Sequence, residues 1–264
     1  MPATAADDTA LNERQARIVA RVESQGFVTI ETLAKDFEVS TQTVRREIIR
    51  LDELGFIQRF HGGAGRLGSG ERLSYEAKQA RDTDLKARIG RAMAAQIQPG
   101  QAIFLDVGTT AEATAKALVD KGRLTVITPS AANARILAGA PGIDTILTGG
   151  RIVGPDISMV GPIALKTVSS YRLDWAVIAC SAIEEDGSVL DFDPDKIALK
   201  VRAMEVSRQK ALIADHGKFS RSALSQLASL DAFDLLVTDA RPPVAISKLL
   251  GANRLDIASH TPGS

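Results

Sequence analysis

The chain has 264 residues, of which 45% are hydrophobic, enough for one large domain or two ordinary ones with packed cores. Its 32 basic and 32 acidic residues cancel, which excludes a uniformly basic, histone-like nucleic-acid binder and leaves any DNA contact to a local patch. The single cysteine, Cys180, excludes an intrachain disulfide, and no apolar run approaches the ~20 residues of a membrane span. The small, acidic stretch from Met1 to Ala10 lacks the basic start and apolar run of a signal peptide, so a cytoplasmic protein is expected.

Three regions follow in order: short helices and a hairpin over residues 11–64, a glycine-rich linker over 65–73, and alternating strands and helices over 74–258. In the first region, Ile18 and Val22 lie one turn apart on helix one, which Gly26 stops. Thr29 is a suitable N-cap for a second helix that turns Ile30, Leu33, Ala34 and Phe37 inward. Val39 bridges a turn, and Ser40 caps a third helix whose buried stripe is Val44, Ile48 and Leu51. Residues Phe56 to Phe60 read as a strand running into a glycine turn at His61-Gly62-Gly63.

In the third region, Ala102 to Leu105 reads as a buried strand that ends in Asp106-Val107-Gly108-Thr109-Thr110 before a helix to Leu118. Further strands are expected at 124–127, 144–147, 175–179, 211–214 and 235–237, with helices around 131–137, 163–169, 197–207 and 244–250. The low aromatic and high aliphatic content suits buried parallel strands, and the alternation implies a mainly parallel sheet covered on both faces. Cys180 follows an apolar run and reads as a buried structural thiol. The fold class is therefore α/β, with a winged helix-turn-helix ahead of a larger α/β domain.

Two constellations carry chemistry. Helix three presents Thr41, Gln42, Thr43, Arg45 and Arg46 away from Val44 and Ile48. Arginine can pair with guanine and glutamine with adenine through two hydrogen bonds each, while Ser40, Thr41 and Thr43 at the helix start suit phosphate oxygens. The hairpin with Arg59 and His61 would form a wing on the DNA backbone or in the minor groove. The second constellation is a phosphate cradle. Gly108 allows close backbone approach, Thr109 and Thr110 offer hydroxyls, and a helix begins there. Asp106 would accept from a ligand hydroxyl. Gly149-Gly150 after another strand and Lys218 in a loop after a third extend the pattern. Taken alone, the cradle is equally an ordinary strand-to-helix turn. No metal site is expected from histidines as dispersed as His61, His216 and His260, and no cofactor is called for.

The run Val39-Ser40-Thr41-Gln42-Thr43-Val44-Arg45-Arg46-Glu47, followed by Leu51, Leu54, Gly55 and Arg59-Phe60-His61-Gly62-Gly63-Ala64, resembles the helix-turn-helix of the DeoR family. Glu47 stands where that family commonly has Asp. Residues 105–110, 126–128, 148–150, 160–162 and 215–219 resemble the family's sensor domain in order and spacing. Pro129 departs from its usual Asn. The resemblance implies a sensor similar in fold to ribose-5-phosphate isomerase that binds phosphorylated sugars or polyols, and a homo-oligomer bound to operator DNA. Tyr171-Arg172-Leu173-Asp174, Ser181 to Ser188, Asp191-Phe192-Asp193 and the Asp215-His216 pair resemble the branch that governs glycerol 3-phosphate use. That branch implies glycerol 3-phosphate as effector, with Ser181, Asp193 and His216 facing it. Three other readings remain open: a regulator answering a different sugar phosphate, a constitutive DNA binder whose α/β domain only oligomerises, and a sugar-phosphate isomerase using Asp106 or Asp193 as base.

Overall fold

The computed structural model describes residues 11–25, 27–60, 63–66, 82–154, 156–219 and 221–258. The chain divides into two compact units, residues 1–71 and 72–264. In the first, α1 (Glu13–Gln25), β1 (Phe27–Thr29), α2 (Ile30–Asp36) and α3 (Thr41–Glu53) precede the strands β2 (Ile57–Phe60) and β3 (Gly63–Arg66). The Thr29 hydroxyl accepts from the Thr32 amide, and the Ser40 hydroxyl accepts from the Thr43 amide, so both helices begin at side-chain caps. The expected stripes meet in one core: Ile18 and Val22 from α1, Leu33 from α2, and Val44, Ile48 and Leu51 from α3. Phe37 closes α2 and carries the Arg17 guanidinium over its ring, 4.9 Å from the centroid.

The strands form a three-stranded antiparallel sheet in the order β1-β3-β2. Gly65 and Arg66, expected in the linker on composition, pair instead with Gln58 and Ile57 as part of β3. The middle strand of a sheet needs ladder partners on both sides, and this requirement overrides the glycine content. Ala64 is opposite both Val28 and Arg59 and is completely buried. Phe56 stays outside the strand because its amide turns back to the Leu51 carbonyl. His61 and residues 67–81, which include most of the expected linker, lie outside the described residues.

The second unit is built on a seven-stranded sheet, all parallel, in the order β15-β14-β12-β9-β4-β5-β6. Its strands are β4 (Ala102–Leu105), β5 (Leu124–Thr128), β6 (Ile143–Leu147), β9 (Leu173–Ala179), β12 (Ser207–Ile213), β14 (Leu235–Thr238) and β15 (Leu255–Ile257). Successive side chains alternate between two cores: Ile103, Leu105, Val177 and Ile213 on one face, Phe104, Ala176, Ile178 and Leu212 on the other. Helices α4 (Thr83–Gln96), α5 (Thr109–Leu118) and α6 (Ala131–Leu137) contribute to the first core. Helices α7 (Pro162–Ser169), α8 (Pro194–Glu205) and α9 (Val244–Leu250) contribute to the second. A β-carbon on Gly90 of α4 would lie 2.6 Å from the Ala113 carbonyl carbon of α5, so these helices touch backbone to backbone.

Two smaller sheets were not expected: the hairpin β7 (Arg151–Val153) and β8 (Ser158–Val160), and the antiparallel set β10 (Ala182–Ile183), β11 (Ser188–Asp191) and β13 (Ser225–Ser229). They are two to five residues long and several are polar, too short for an alternation to register. The main sheet reverses its winding between β4 and β9. From β4 the order runs out through β5 and β6, and from β9 it runs out through β12, β14 and β15. In open parallel sheets the crevice at such a reversal, beyond the carboxyl ends of the strands, is where ligands bind.

Candidate functional site

A cavity of about 120 Å³ lies at that reversal. Its wall comes from the carboxyl ends of adjacent strands: Val107 to Thr110 after β4, Ala179 to Ser181 after β9, and Ile213 and Asp215 at β12. Asp191 at the end of β11, Phe192 and Asp193 after it, Asp156 of the β7–β8 turn, Lys196 and Lys200 of α8, Asp82 and Lys86 at the start of α4, and Lys218 and Arg221 complete it. Gly108 takes φ +109, open only to glycine without strain, and α5 starts at Thr109 with no side chain capping it. Its first amides are therefore offered to the cavity.

The floor is a buried ionic cluster. The Lys200 ammonium lies 2.9 Å from Asp106 Oδ2 and 2.6 Å from Asp191 Oδ2, and donates to the Ala179 carbonyl at 2.8 Å. The Ala179 amide donates to Asp106 Oδ2 at 3.0 Å, and the Ser181 hydroxyl to Asp191 Oδ1 at 2.7 Å. Burial pushes the Asp106 carboxyl above the ordinary range, against the pull of Lys200. Burial would also raise Asp191, but Lys200, the Ser181 hydroxyl and the Phe192 amide together hold it at about 2. The same two carboxylates override burial at Lys200 and hold its ammonium charged. Burial pushes the Cys180 thiol up to about 12, which suits a structural thiol.

This arrangement has an acid signature. The folded pKa of Asp191 lies below its unfolded value, so its contribution is present above about pH 4 and is lost as pH falls toward 2. At about 1.4 kcal/mol per unit, that is on the order of 2 kcal/mol. Asp191→Asn should therefore flatten the loss of stability between pH 4 and 2, measured by urea unfolding at stepped pH. Equal slopes in the two proteins would refute the assignment.

Of the residues expected to face a ligand, Gly108, Thr109, Thr110, Ser181, Asp193 and Lys218 line the cavity, while four do not. Asp106 is only 1% exposed and is engaged by Lys200 and the Ala179 amide, so it supports the floor rather than accepting from a ligand. Gly149 and Gly150 serve the β6–β7 turn, and a β-carbon on Gly150 would lie 2.5 Å from the Val160 carbonyl oxygen. His216 is exposed, and its Nδ1 lies 2.7 Å from Asp239 Oδ2. Asp193 caps α8 by accepting from the Asp195 and Lys196 amides. Lys200, Lys196 and Arg221 were missed. The two lysines carried a signal, since 196, 199, 200 and 203 form one buried helical stripe, and charge on such a stripe demands partners.

In the first unit, Thr41, Gln42, Arg45 and Arg46 are exposed on α3 and Thr43 is half-buried. Ser40 and Thr43 are joined through the cap, with their hydroxyls 2.9 Å apart. Glu47 is buried and takes the Arg14 Nε at 2.8 and 2.9 Å with its two carboxylate oxygens, tying α3 to α1. Arg59 is exposed on β2, and its amide donates to Asp52 Oδ1 at 2.8 Å, which fixes the hairpin to α3.

An exposed, capped helix bearing arginine and glutamine, ahead of an α/β unit with a cavity lined by cations, defines the class of DNA-binding regulators. The DeoR-like helix-turn-helix domain matches residues 14–69 and the DeoR C terminal sensor domain matches residues 81–240, so the chain belongs to the DeoR family. It is 36% identical over 245 residues to the glycerol-3-phosphate regulon repressor of Escherichia coli (strain K12), covering 93% of this chain and 97% of that protein. It is 35% identical over 246 residues to the HTH-type transcriptional repressor CsqR of the same strain, covering 93% of this chain and 94% of the relative. Among solved structures, ribose 5-phosphate isomerase A from Methanocaldococcus jannaschii aligns with TM-score 0.38 and 14% identity, covering 52% of this chain and 54% of that one. No helix among the described residues is long and apolar enough to cross a membrane.

Proposed function

We propose that this protein is a homo-oligomeric repressor whose operator binding is relieved by a small phosphorylated metabolite, glycerol 3-phosphate in the first instance. The observation that carries this reading is the composition of the cavity wall. The uncapped start of α5, Thr109, Lys218 and Arg221 all line it. No ion pair of Lys218 or Arg221 is seen among the described residues, so two cations are available to a phosphate dianion. Asp193 and Asp215 offer acceptors for hydroxyls. The size also fits. At roughly 10–15 Å³ per water, about 120 Å³ suits a small ligand of several heavy atoms. The similarity to a glycerol-3-phosphate regulon repressor supports the same effector.

An isomerase reading finds less support. Asp106 is buried in its ion pair with Lys200 and is not presented as a base to a substrate carbon, and Asp193 is committed through Oδ1 to capping α8. In the regulator, effector binding favours a head arrangement that does not fit two half-sites about one helical turn apart. Couplings of this kind are about 1–3 kcal/mol, or roughly 5- to 150-fold in DNA affinity.

The test is operator release followed by fluorescence anisotropy. Glycerol 3-phosphate should release the DNA, and glycerol, which lacks the dianion, should not. Lys218→Ala should bind DNA normally but respond about tenfold or more weakly, because a charge-assisted hydrogen bond contributes about 1.5–3 kcal/mol. Thr109→Val should shift the response in the same direction. Release by a sugar phosphate alone would overturn the choice of effector, and indifference to every phosphorylated metabolite would overturn the sensor reading.

A further inference from the structure

We propose that Lys196 is an anion-binding residue of the sensor cavity and that Asp156 holds it as an internal counter-ion in the free protein, to be displaced by the phosphate of the effector. This rests on reading the cavity as a phosphometabolite site.

Lys196 and Asp156 both line the cavity, and the Lys196 Nζ lies 2.6 Å from Asp156 Oδ2. The pair joins two different elements. Lys196 is in the first turn of α8, and Asp156 is in the turn between β7 and β8. Each partner sits where its chemistry is poorly served. A cation in the first turn of a helix opposes the helix dipole, and the Lys196 side chain is 9% exposed. The second carboxylate oxygen, Asp156 Oδ1, is buried with no hydrogen-bond partner and faces the Gly154 backbone, where a β-carbon would lie 2.7 Å away. Beside it Ile157, a β-branched residue, takes φ +47 in the left-handed region. What offsets these costs is the contact with Lys196.

A phosphate at the start of α5 would provide Lys196 with a better partner. It carries more charge than a carboxylate and three acceptor oxygens, and it leaves Asp156 free to return both oxygens to water. The remaining ties of the hairpin do not enter the cavity. Arg151 pairs with Asp195 at the exposed surface, the Ala131 amide donates to the Ile157 carbonyl at 3.5 Å, Ser158 bridges Ser130, and the Met159 amide donates to the Pro129 carbonyl at 2.8 Å. Displacement of Asp156 therefore loosens one turn while the strand stays docked. The free protein is the self-paired state, and an effector binds with its affinity reduced by the fraction of molecules in which Lys196 is free.

The sign of one affinity change decides the matter. Glycerol 3-phosphate, with inorganic phosphate as a second probe, is titrated by calorimetry into the full chain and its Asp156→Asn and Lys196→Met variants. Removing the competing charge should tighten glycerol 3-phosphate binding about tenfold in Asp156→Asn, and Lys196→Met should weaken it at least tenfold. Hydrogen exchange at the Ile157 amide, which donates within the turn to the Gly154 carbonyl, should quicken on adding glycerol 3-phosphate to the wild-type protein, and should already be fast in Asp156→Asn without it. Asp156→Ser replaces the first variant if the asparagine form melts early. A purely structural pair would quicken exchange in the variant without tightening the ligand, and that result overturns the proposal. If the wild-type protein binds the probes and Lys218→Ala weakens them, but neither Asp156→Asn nor Lys196→Met changes affinity, this inference fails and the cavity reading stands. If the wild-type protein binds neither probe, the cavity reading fails and takes this inference with it.

Discussion

Arg45→Ala and Arg46→Ala should each abolish specific operator binding while leaving the fold intact. Both side chains are exposed on the face of α3 opposite Val44 and Ile48, so their loss opens no cavity. A good bidentate base contact is worth about 1–3 kcal/mol of discrimination. With two heads engaged at once the loss doubles, to on the order of 30- to 10⁴-fold in affinity. Titrations against operator and scrambled duplexes measure this directly. Arg59→Ala provides the contrast. A wing residue on the backbone should weaken both duplexes alike and reduce the salt dependence. Operator affinity unchanged in both helix variants would remove α3 from the role of reader.

Lys200→Met should be the most damaging single substitution in the sensor. It leaves Asp106 and Asp191 buried without their shared cation. Removing one partner of a buried ion pair costs about 3–5 kcal/mol, which for a unit of this size lowers Tm by roughly 10 °C. Without that cation, burial raises both carboxyls, so the variant should regain stability as pH falls. Adding Asp106→Asn and Asp191→Asn should restore much of the loss, since a neutral set needs no cation. A Tm within a degree of wild type would show that the cluster is not holding the floor.

The sequence was legible wherever a local rule and the tertiary structure agreed. Thr29 and Ser40 cap their helices as their hydroxyls allow, and Ile18, Val22, Val44, Ile48 and Leu51 lie inward as their spacing requires. Gly108 with Thr109 and Thr110 was readable because a strand-to-helix turn with positive φ leaves a local composition. The floor was harder to read. Asp191 and Lys200 are nine residues apart, but Asp106 follows β4 far earlier in the chain, and only the tertiary fold brings it to them. His216 and Gly149-Gly150 stood in family motifs, yet one is turned to Asp239 and the others serve a turn. Presence in a motif fixes a residue type without fixing the reason for it.

The missing β-carbon at Gly90 has a mechanical meaning. Helices that meet through side chains can slide by changing rotamers, but α4 and α5 meet through backbone, at a distance no side chain could enter. Sliding of one past the other is blocked at this contact, so the two should move together. One end of that pair is the start of α5, which lines the cavity. The other helix, α4, is the first described element of the sensor after the segment leading from the DNA-reading unit. A displacement of a few tenths of an ångström at Thr109 has no soft layer in which to dissipate before it reaches the start of α4.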